Sequence, residues 1–366
     1  MKIAQQKMLY TGVALVLVMA AYFGWLRVTN YFYYQEVPEH WQVMPLPELQ
    51  SPTVLRAVYV ENPRFKSLTD SQINKILDRT TELVSQHLFA EVKFERKADL
   101  SVQTLFDVLP YVAKKNQSEK IIFIDDKKNE LDSFNKIRNS ISLQIQNSAS
   151  SEQSQIDYAG PYLIEKKEIK NLDGLTAELS KTLIHRHQFW MQQLANDGKP
   201  VLDGSSYNQW IYWDALGYGK LPYDVIITNQ LVASIEENGM PVHTCLRGGI
   251  NGGNTTYSKL GLLGGFVFVS AFQMMNNNEL LAMLREDETY SEQQIIDYTA
   301  ATVTHELGHL LFHYAHPFNA QSCIMNPTPL LHYRQWYEQL DVGACQLLNS
   351  PMQQPGAARI TYNTKW

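Results

Sequence analysis

The stretch "SEQQIIDYTAATVTHELGHLLFHYAHPFNAQSCIMNP", residues 291–327, carries the clearest structural pattern in this chain of 366 residues. Ser291 and Gln294 have the spacing of a capping box, which predicts that a helix begins there. Beyond the cap, apolar residues recur every three or four positions, as on the core face of a helix, at Ile296, Ala300, Val303, Leu307 and Leu311. We therefore predict one long helix that packs through this stripe.

Two histidines lie about opposite the apolar stripe, because successive helix residues rotate by about 100°. His305 and His309 are four residues apart, which corresponds to about 6 Å along the axis, so both imidazoles can bind one ion. Glu306 is adjacent and can reach a water molecule at that ion without binding the ion itself. This is the H-E-x-x-H arrangement of zinc metalloproteases. The pattern predicts Zn²⁺ bound by His305 and His309, with Glu306 as the general base.

A third ligand is needed, since catalytic zinc sites use three protein ligands. His313 continues the four-residue series, but on a straight helix it would lie about 12 Å from His305. Ligand nitrogens must all lie about 2.0–2.1 Å from the zinc, which excludes three such histidines on one helix. The third ligand must follow a turn of the chain, and His316, which precedes Pro317, is the better candidate.

Residues 305–327 resemble the metzincin clan of zinc peptidases, whose pattern H-E-x-x-H-x-x-G-x-x-H is followed by a tight turn that carries a methionine. "CIMNP" is similar to that turn, and its C-x-M order is most similar to the archaemetzincin type. The resemblance is good over about 265–345. Over 53–97 and 223–230 it is limited to a similar order of strands and helix.

The resemblance implies an activity and a kind of substrate. It implies hydrolysis of peptide bonds, with Glu306 as general base and a protein or peptide as substrate. "GGFVFVSAF" (264–272) resembles the edge strand before the catalytic helix, so an extended substrate is expected to pair with "GFVFVS". The metal centre that the family implies consists of His305, His309 and His316, with Met325 beneath the metal.

The chain departs from the family pattern after the second histidine. Phe312 stands at the family's glycine, and the next histidine comes one residue after the expected position, Ala315, which indicates a slightly longer turn to His316. Pro317 replaces the archaemetzincin cysteine, and the terminal C-x-x-C pair is reduced to Cys345. The family's second, cysteine-based zinc site is therefore not expected here.

Several alternatives stay open on the sequence alone. The departures motivate a catalytically lapsed zinc-binding scaffold or interaction protein, or a surface helix without metal. A gluzincin-type peptidase would instead take Glu338, on a later helix, as its third ligand. Cys323 and Cys345 form either a disulfide or two buried thiols. Tyr333 and Tyr337 either assist an oxyanion or are core and rim aromatics.

The N-terminal segment Met8–Leu26 contains 19 residues without a charge, between Lys7 and Arg27. As a helix it would roughly span a hydrocarbon core of about 30 Å. More positive charges precede it than follow it, so the N-terminus is expected in the cytoplasm and the rest outside. The apolar run exceeds the about 7–15 residues of a signal-peptide core, which favours a retained anchor over cleavage. We therefore predict a single-pass membrane protein whose catalytic domain is periplasmic or extracellular.

Composition bounds the remaining possibilities. Hydrophobic residues make up 45% of the chain and charged residues 19%, which predicts a folded core. The net charge is −6 without a long basic run, so no nucleic-acid partner is expected. The expected organisation is a membrane anchor at 1–30, a linker at 31–52 and a metzincin-like peptidase domain at 53–366, with an insertion at about 98–222.

The order of apolar segments predicts an α+β fold whose N-terminal half is α/β-like, with a twisted mixed sheet and a long active-site helix. Residues 130–156 are polar and are expected to be either mobile or a surface excursion. Residues 247–261 are glycine-rich and are expected to form an irregular loop. Strands are expected at 56–61, 91–97, 120–125, 223–230 and 264–272, and further helices at 67–89 and 174–196.

Overall fold

A computed structural model gives the fold of most of the chain after residue 51. It describes residues 52–109, 121–122, 124, 130–146, 152–160, 163–164, 168–216, 221–233, 235–236, 252–258, 261–285, 288–312, 321–326, 328 and 331–345. The predicted anchor and linker lie outside these residues. None of the helices in the described ranges is long and apolar enough to cross a membrane.

The described strands form a mixed, mainly parallel sheet and one separate strand pair. They are β1 (Thr53–Glu61), β2 (Val92–Arg96), β3 (Leu100–Ser101), β4 (Ile121–Ile122), β5 (Val225–Thr228), β6 (Ile235–Glu236), β7 (Gly252–Ser258) and β8 (Gly261–Ser270). The main sheet has the order β2-β1-β5-β8-β7, and β3 also pairs with β1. Strand β7 is antiparallel to β8, whereas the other pairs of this sheet are parallel. The expected mixed α and β architecture is confirmed.

Both faces of the inner strands β1, β5 and β8 are buried, as is usual for parallel strands covered by helices. Alternate residues of the strands point to opposite faces and join two different hydrophobic clusters. The first face contributes Ala57, Tyr59, Val225, Ile227, Val267 and Val269. The second face contributes Val58, Val60, Ile226, Phe266 and Phe268.

The helices cover these two faces. They are α1 (Asp70–Leu83), α2 (Val102–Phe106), α3 (Glu130–Gln146), α4 (Glu152–Ala159), α5 (Leu172–Gln192), α6 (Trp210–Ala215), α7 (Phe272–Met275), α8 (Glu279–Leu284), α9 (Glu292–Phe312) and α10 (Tyr333–Glu338). A π-helical turn, Val84–Leu88, extends α1. Helices α1, α5 and α9 bury their apolar residues in the cluster of the first face, and α2 and α6 bury theirs in the cluster of the second.

Helix α9 begins where the capping box predicts. The Ser291 hydroxyl accepts a hydrogen bond from the Gln294 amide at 3.3 Å, and the Gln294 side-chain oxygen accepts one from the Ser291 amide at 2.9 Å. These two bonds satisfy N–H groups that the first turn of a helix leaves without partners. The predicted apolar stripe is buried and packs against α1 and β8.

Within the polar segment 130–156, the described residues 130–146 and 152–156 are helical and belong to α3 and α4. Phe134, Ile137 and Ile141 recur at helical spacing along α3, and the two isoleucines are buried in the core of the first face. A narrow apolar stripe is enough for a helix that packs on a larger neighbour, here α5. Of the strand expected at 120–125, Ile121 and Ile122 alone pair in the described part.

The prediction that "GFVFVS" forms an edge strand is wrong. Strand β8 lies between β5 and β7, because part of the glycine-rich segment expected to be irregular forms β7 instead. This pairing is made by backbone hydrogen bonds to β8. Because such bonds do not depend on side chains, a glycine-rich segment can form them. A register shift between Thr256 and Tyr257 adapts the two strands to each other.

Candidate metal centre

Helix α9 carries the three residues that the H-E-x-x-H pattern singles out. His305 and Glu306 are each 7% exposed and His309 is 4% exposed. Every residue from Tyr298 to His309 is buried, so the polar side of the helix is covered rather than open. The threonines of this segment are accommodated because their hydroxyls donate to carbonyls four residues earlier, as Thr304 does to Ala300 at 2.9 Å.

The two histidines converge as a chelating pair would. Their Nε2 atoms are 3.1 Å apart, and their ring centroids are 4.8 Å apart at an angle of 84°. Two nitrogens that bind one tetrahedral zinc at about 2.0–2.1 Å lie about 3.3 Å from each other. The donor atoms of His305 and His309 therefore fit a shared metal ion with little movement of either ring.

A tight turn at Cys323–Asn326, here called the methionine turn, fixes one of these rings. The Asn326 amide donates to the Cys323 carbonyl at 2.9 Å and closes the turn. The Ile324 carbonyl accepts a hydrogen bond from His305 Nδ1 at 2.8 Å. Since a carbonyl can only accept, Nδ1 carries the proton and Nε2 presents its lone pair. The bond to the Ile324 carbonyl gives His305 the tautomer that a metal ligand needs.

The methionine turn approaches α9 at a glycine. A Cβ atom added at Gly308 would lie 2.2 Å from Met325 Sδ and 2.9 Å from Met325 Cε, far inside contact distance. Met325 is fully buried. The absence of a side chain at Gly308 therefore allows the methionine to lie directly against the helix turn between His305 and His309.

A disulfide ties the methionine turn to the chain after α10. Cys323 and Cys345 are both buried and are bonded to each other, which decides between the two states that the sequence left open. The Asp341 amide also donates to the Ser322 carbonyl at 2.9 Å, just before the turn. The residues around α10 thus hold the turn at both the backbone and the side-chain level.

The predicted third ligand, His316, and the excluded candidate, His313, lie outside the described residues. Within the described ranges, no group of three or more His, Cys, Asp or Glu side chains is gathered to hold a metal ion. Among the described candidate ligands, His305 and His309 are the two whose ring nitrogens converge.

Comparison with known proteins gives no further assignment. No family model matches this chain, and no curated protein or solved structure matches it either.

Glu338 and the two tyrosines occupy positions outside the histidine pair. Glu338 is exposed on α10, and its charge acts on Arg334 and Tyr298. Within the described residues, Glu338 does not form a metal-holding group with the two histidines. The Tyr333 hydroxyl accepts from Gln273 at 3.3 Å, and the Tyr337 hydroxyl accepts from Arg79 at 2.7 Å. Tyr333 is buried and Tyr337 is partly buried, which favours the interpretation of core and rim aromatics.

Three features of the site were not found from the sequence. The Ile324 carbonyl and the buried Trp336, whose ring centroid is 6.4 Å from that of His305, carry no motif. Gly308 did have a signal, because glycine inside a helix costs about 1 kcal/mol relative to alanine and needs a reason to be there. Close approach of Met325 is that reason.

Proposed function

We propose that this chain is a zinc-dependent endopeptidase of the metzincin type, with His305, His309 and His316 as ligands and Glu306 as general base. The observation that carries the proposal is the convergence of the Nε2 atoms of His305 and His309 at 3.1 Å. The contact from the Ile324 carbonyl supports it, because that contact leaves a lone pair on His305 Nε2. The sequence resemblance described above supports the same assignment.

Glu306 is the acid–base residue of the proposed hydrolysis. Zinc, when bound, supplies a Lewis acid that lowers the pKa of a water molecule to about 7 and polarises the scissile carbonyl. Glu306 takes a proton from the attacking water and delivers it to the leaving amine. Its side chain is buried beside His305, where little solvent screens its charge from the reacting groups.

The outer strand β7 is the proposed docking edge for an extended protein or peptide substrate. Among the described residues β7 pairs on one side, with β8, so its other edge is the place where a peptide strand can add. Strand addition depends on main-chain hydrogen bonds. We expect peptides with alternate amides N-methylated to lose cleavage relative to the unmethylated peptides, and equal cleavage of both would contradict this docking mode.

Substitution of Glu306 tests the mechanism. Glu306→Gln should keep zinc and lose cleavage of an unstructured protein by roughly 10²–10⁴-fold, because only proton transfer is removed. His305→Ala should lose both zinc and cleavage. Zinc content measured by atomic absorption and turnover measured on casein-like substrates distinguish these outcomes. Undiminished cleavage by the zinc-loaded Glu306 variant would rule out the proposed role.

Glu338→Gln is the matched control, since Glu338 is an exposed glutamate on α10. If His316 is the third ligand, this variant should keep zinc and activity, whereas His316→Ala should lose zinc. Loss of zinc from the Glu338 variant would instead support the gluzincin scheme. His313→Ala should leave the zinc content unchanged.

The alternative of a zinc-stabilised binding or scaffold protein is favoured by one observation. Phe312 occupies the family's glycine position and is the last residue of α9, so the helix continues where the family pattern turns. A wild-type protein that holds one zinc and cleaves no unstructured substrate would favour the scaffold over the peptidase. A protein without any zinc would contradict both.

The proposed location is outside the cytoplasm, with Met8–Leu26 as a membrane anchor. The bond between Cys323 and Cys345 supports this proposal, since disulfides persist in oxidising compartments. Alkaline extraction of membranes should leave the full chain in the membrane fraction and release a chain that lacks residues 1–30. Release of the full chain would contradict the anchor.

A further inference from the structure

Trp336 of α10 contacts both the His305 ring and the methionine turn that bonds to it. Its side chain is 2% exposed, and its indole N–H donates to the Asn326 carbonyl at 2.9 Å. Its ring also lies edge-on to the His305 ring, at an interplanar angle of 72°. One buried side chain thus touches the histidine and holds the turn that bonds to the histidine.

The methionine turn connects these two contacts rigidly. Two of its carbonyls, those of Ile324 and Asn326, bond outward, the first to His305 and the second to Trp336. The Cys323–Asn326 backbone bond at 2.9 Å keeps the two carbonyls in a fixed relation. A displacement of the Asn326 carbonyl therefore changes the distance and angle of the bond at His305 Nδ1.

We propose that Trp336 is a positioning residue that sets the orientation and tautomer of His305 through the methionine turn. This inference rests on the proposed function in its use of His305 as a metal ligand. Without the indole bond, the turn is free to shift, the Nδ1 bond weakens, and His305 populates the tautomer with its proton on Nε2. That tautomer blocks the nitrogen that faces His309. Loss of a hydrogen-bond partner that orients a metal-binding histidine lowers metal affinity by about 10–100-fold.

Removal of the indole N–H alone should leave α10 in place. The helix is independently fixed by the Arg79 guanidinium, whose Nε and Nη2 donate to the Tyr337 hydroxyl at 3.2 and 2.7 Å. The disulfide of Cys345 fixes the chain that follows. Trp336→Phe therefore removes a single hydrogen bond and part of a ring rather than the element.

Two other buried tryptophans provide matched controls. Trp213 donates its indole N–H to the Tyr207 carbonyl at the same distance, 2.9 Å, but packs against Phe268 on the second face of the sheet. Trp190 lies in the same hydrophobic cluster as α9, and its indole N–H has no hydrogen-bond partner among the described residues. Trp213→Phe tests the loss of an equal bond elsewhere, and Trp190→Phe tests the loss of ring volume in the same core.

The first measurement uses the metal-free full chain with ¹⁵N-labelled histidine rings, at a pH where the imidazoles are neutral. The ring ¹⁵N shifts report the tautomer, and His305→Gln identifies the His305 signals. We expect the wild type and both control variants to hold the proton on Nδ1, and Trp336→Phe to show a mixture. An unchanged tautomer in Trp336→Phe would overturn the proposal, as would the same change in Trp213→Phe.

The second measurement is zinc affinity, determined by competition with a chromophoric chelator. Trp336→Phe should bind zinc about 10–100-fold more weakly than the wild type, with both controls within about twofold of it. Equal affinities of all four proteins would overturn the proposal. If the wild type binds no zinc, the proposed function fails, whereas the tautomer comparison in the metal-free chain still decides the role of Trp336.

An isosteric replacement covers the case in which Trp336→Phe does not fold. A benzothiophene ring introduced at position 336 alone keeps the shape of the indole and lacks its N–H group. It should reproduce both the mixed tautomer and the weaker zinc binding. A fully wild-type tautomer and affinity with this ring would show that the indole bond does not position His305.

Discussion

At the scale of single residues, Gly308 determines whether the methionine turn can lie against α9. We expect Gly308→Ala to lower the free energy of unfolding by about 1–3 kcal/mol, because the added methyl group overlaps Met325 in a packed core. Denaturant unfolding measures this change. Gly160→Ala is the control, since a Cβ atom there meets nothing within 4 Å.

A double-mutant cycle separates this overlap from a general effect of alanine in the helix. Met325→Ala vacates the space that the new methyl group needs, so Gly308→Ala should be less destabilising in that background. Equal destabilisation in both backgrounds would contradict the proposed contact. The zinc content of Gly308→Ala should fall as well, because the turn that bonds to His305 is displaced.

Features of the site that depend only on the spacing of residues along a helix could be predicted from the sequence. The four-residue separation of His305 and His309 predicts convergence on a helix, and their Nε2 atoms do converge. The sequence was insufficient where a contact depends on the chain folding back, as with the Ile324 carbonyl and Trp336. Such contacts depend on the path of the backbone after α9, which local periodicity does not encode.

At the scale of elements, the disulfide between Cys323 and Cys345 holds the methionine turn to the chain after α10. Replacing both cysteines by serine should lower the free energy of unfolding by about 3 kcal/mol, from the entropy of a loop closed over 22 residues. Wild-type protein unfolded in a dithiol reductant should show the same loss. Reductant that leaves the wild-type transition unchanged would contradict a stabilising disulfide.

Mass spectrometry provides the matched chemical check for the disulfide. The chain has three cysteines, so alkylation of the unfolded, unreduced protein should modify Cys245 and leave the other two unmodified. Reduction before alkylation should modify all three. Alkylation of Cys323 or Cys345 without reduction would contradict the bond.

Elements differed in how far the sequence predicted them. Helix α9 follows from its capping box and apolar stripe because both signals are local. Strand β7 was missed, since Gly252 and Gly253 have low strand propensity and the strand exists through its backbone pairing with β8. That pairing makes β8 an inner strand. The expectation that "GFVFVS" is an edge strand was therefore wrong because β7 was not predicted.

At the scale of the whole molecule, buried His187 on α5 makes stability depend on pH. Its Nε2 accepts a hydrogen bond from the Ile124 amide at 3.3 Å, and burial lowers its pKa from 6.5 to about 4. Between those values the unfolded chain binds a proton that the folded chain does not. The buried neutral imidazole of His187 therefore contributes fully to the free energy of unfolding above about pH 6.5. This contribution is lost as the pH falls towards 4.

We expect the free energy of unfolding to fall by about 2 kcal/mol between about pH 7.5 and pH 5 through this histidine. His187→Gln keeps an acceptor for the Ile124 amide and does not titrate. Between these pH values the free energy of unfolding of this variant should therefore fall by about 2 kcal/mol less than that of the wild type. Denaturant unfolding of both proteins at the two pH values measures the difference. Parallel pH profiles would contradict the assignment.

The position of β1 between β2 and β5 has a consequence for biosynthesis. Its partner on one side, β2, follows within the same compact segment, but the Thr228 hydroxyl of β5 bonds to the Val60 carbonyl across 168 residues. At about 5–20 residues per second, a ribosome needs on the order of ten seconds to supply that partner. During this interval β1 has one open edge and apolar side chains on both faces. Because an open strand edge can pair with another chain, we expect this interval to be the one in which β1 is most exposed to aggregation.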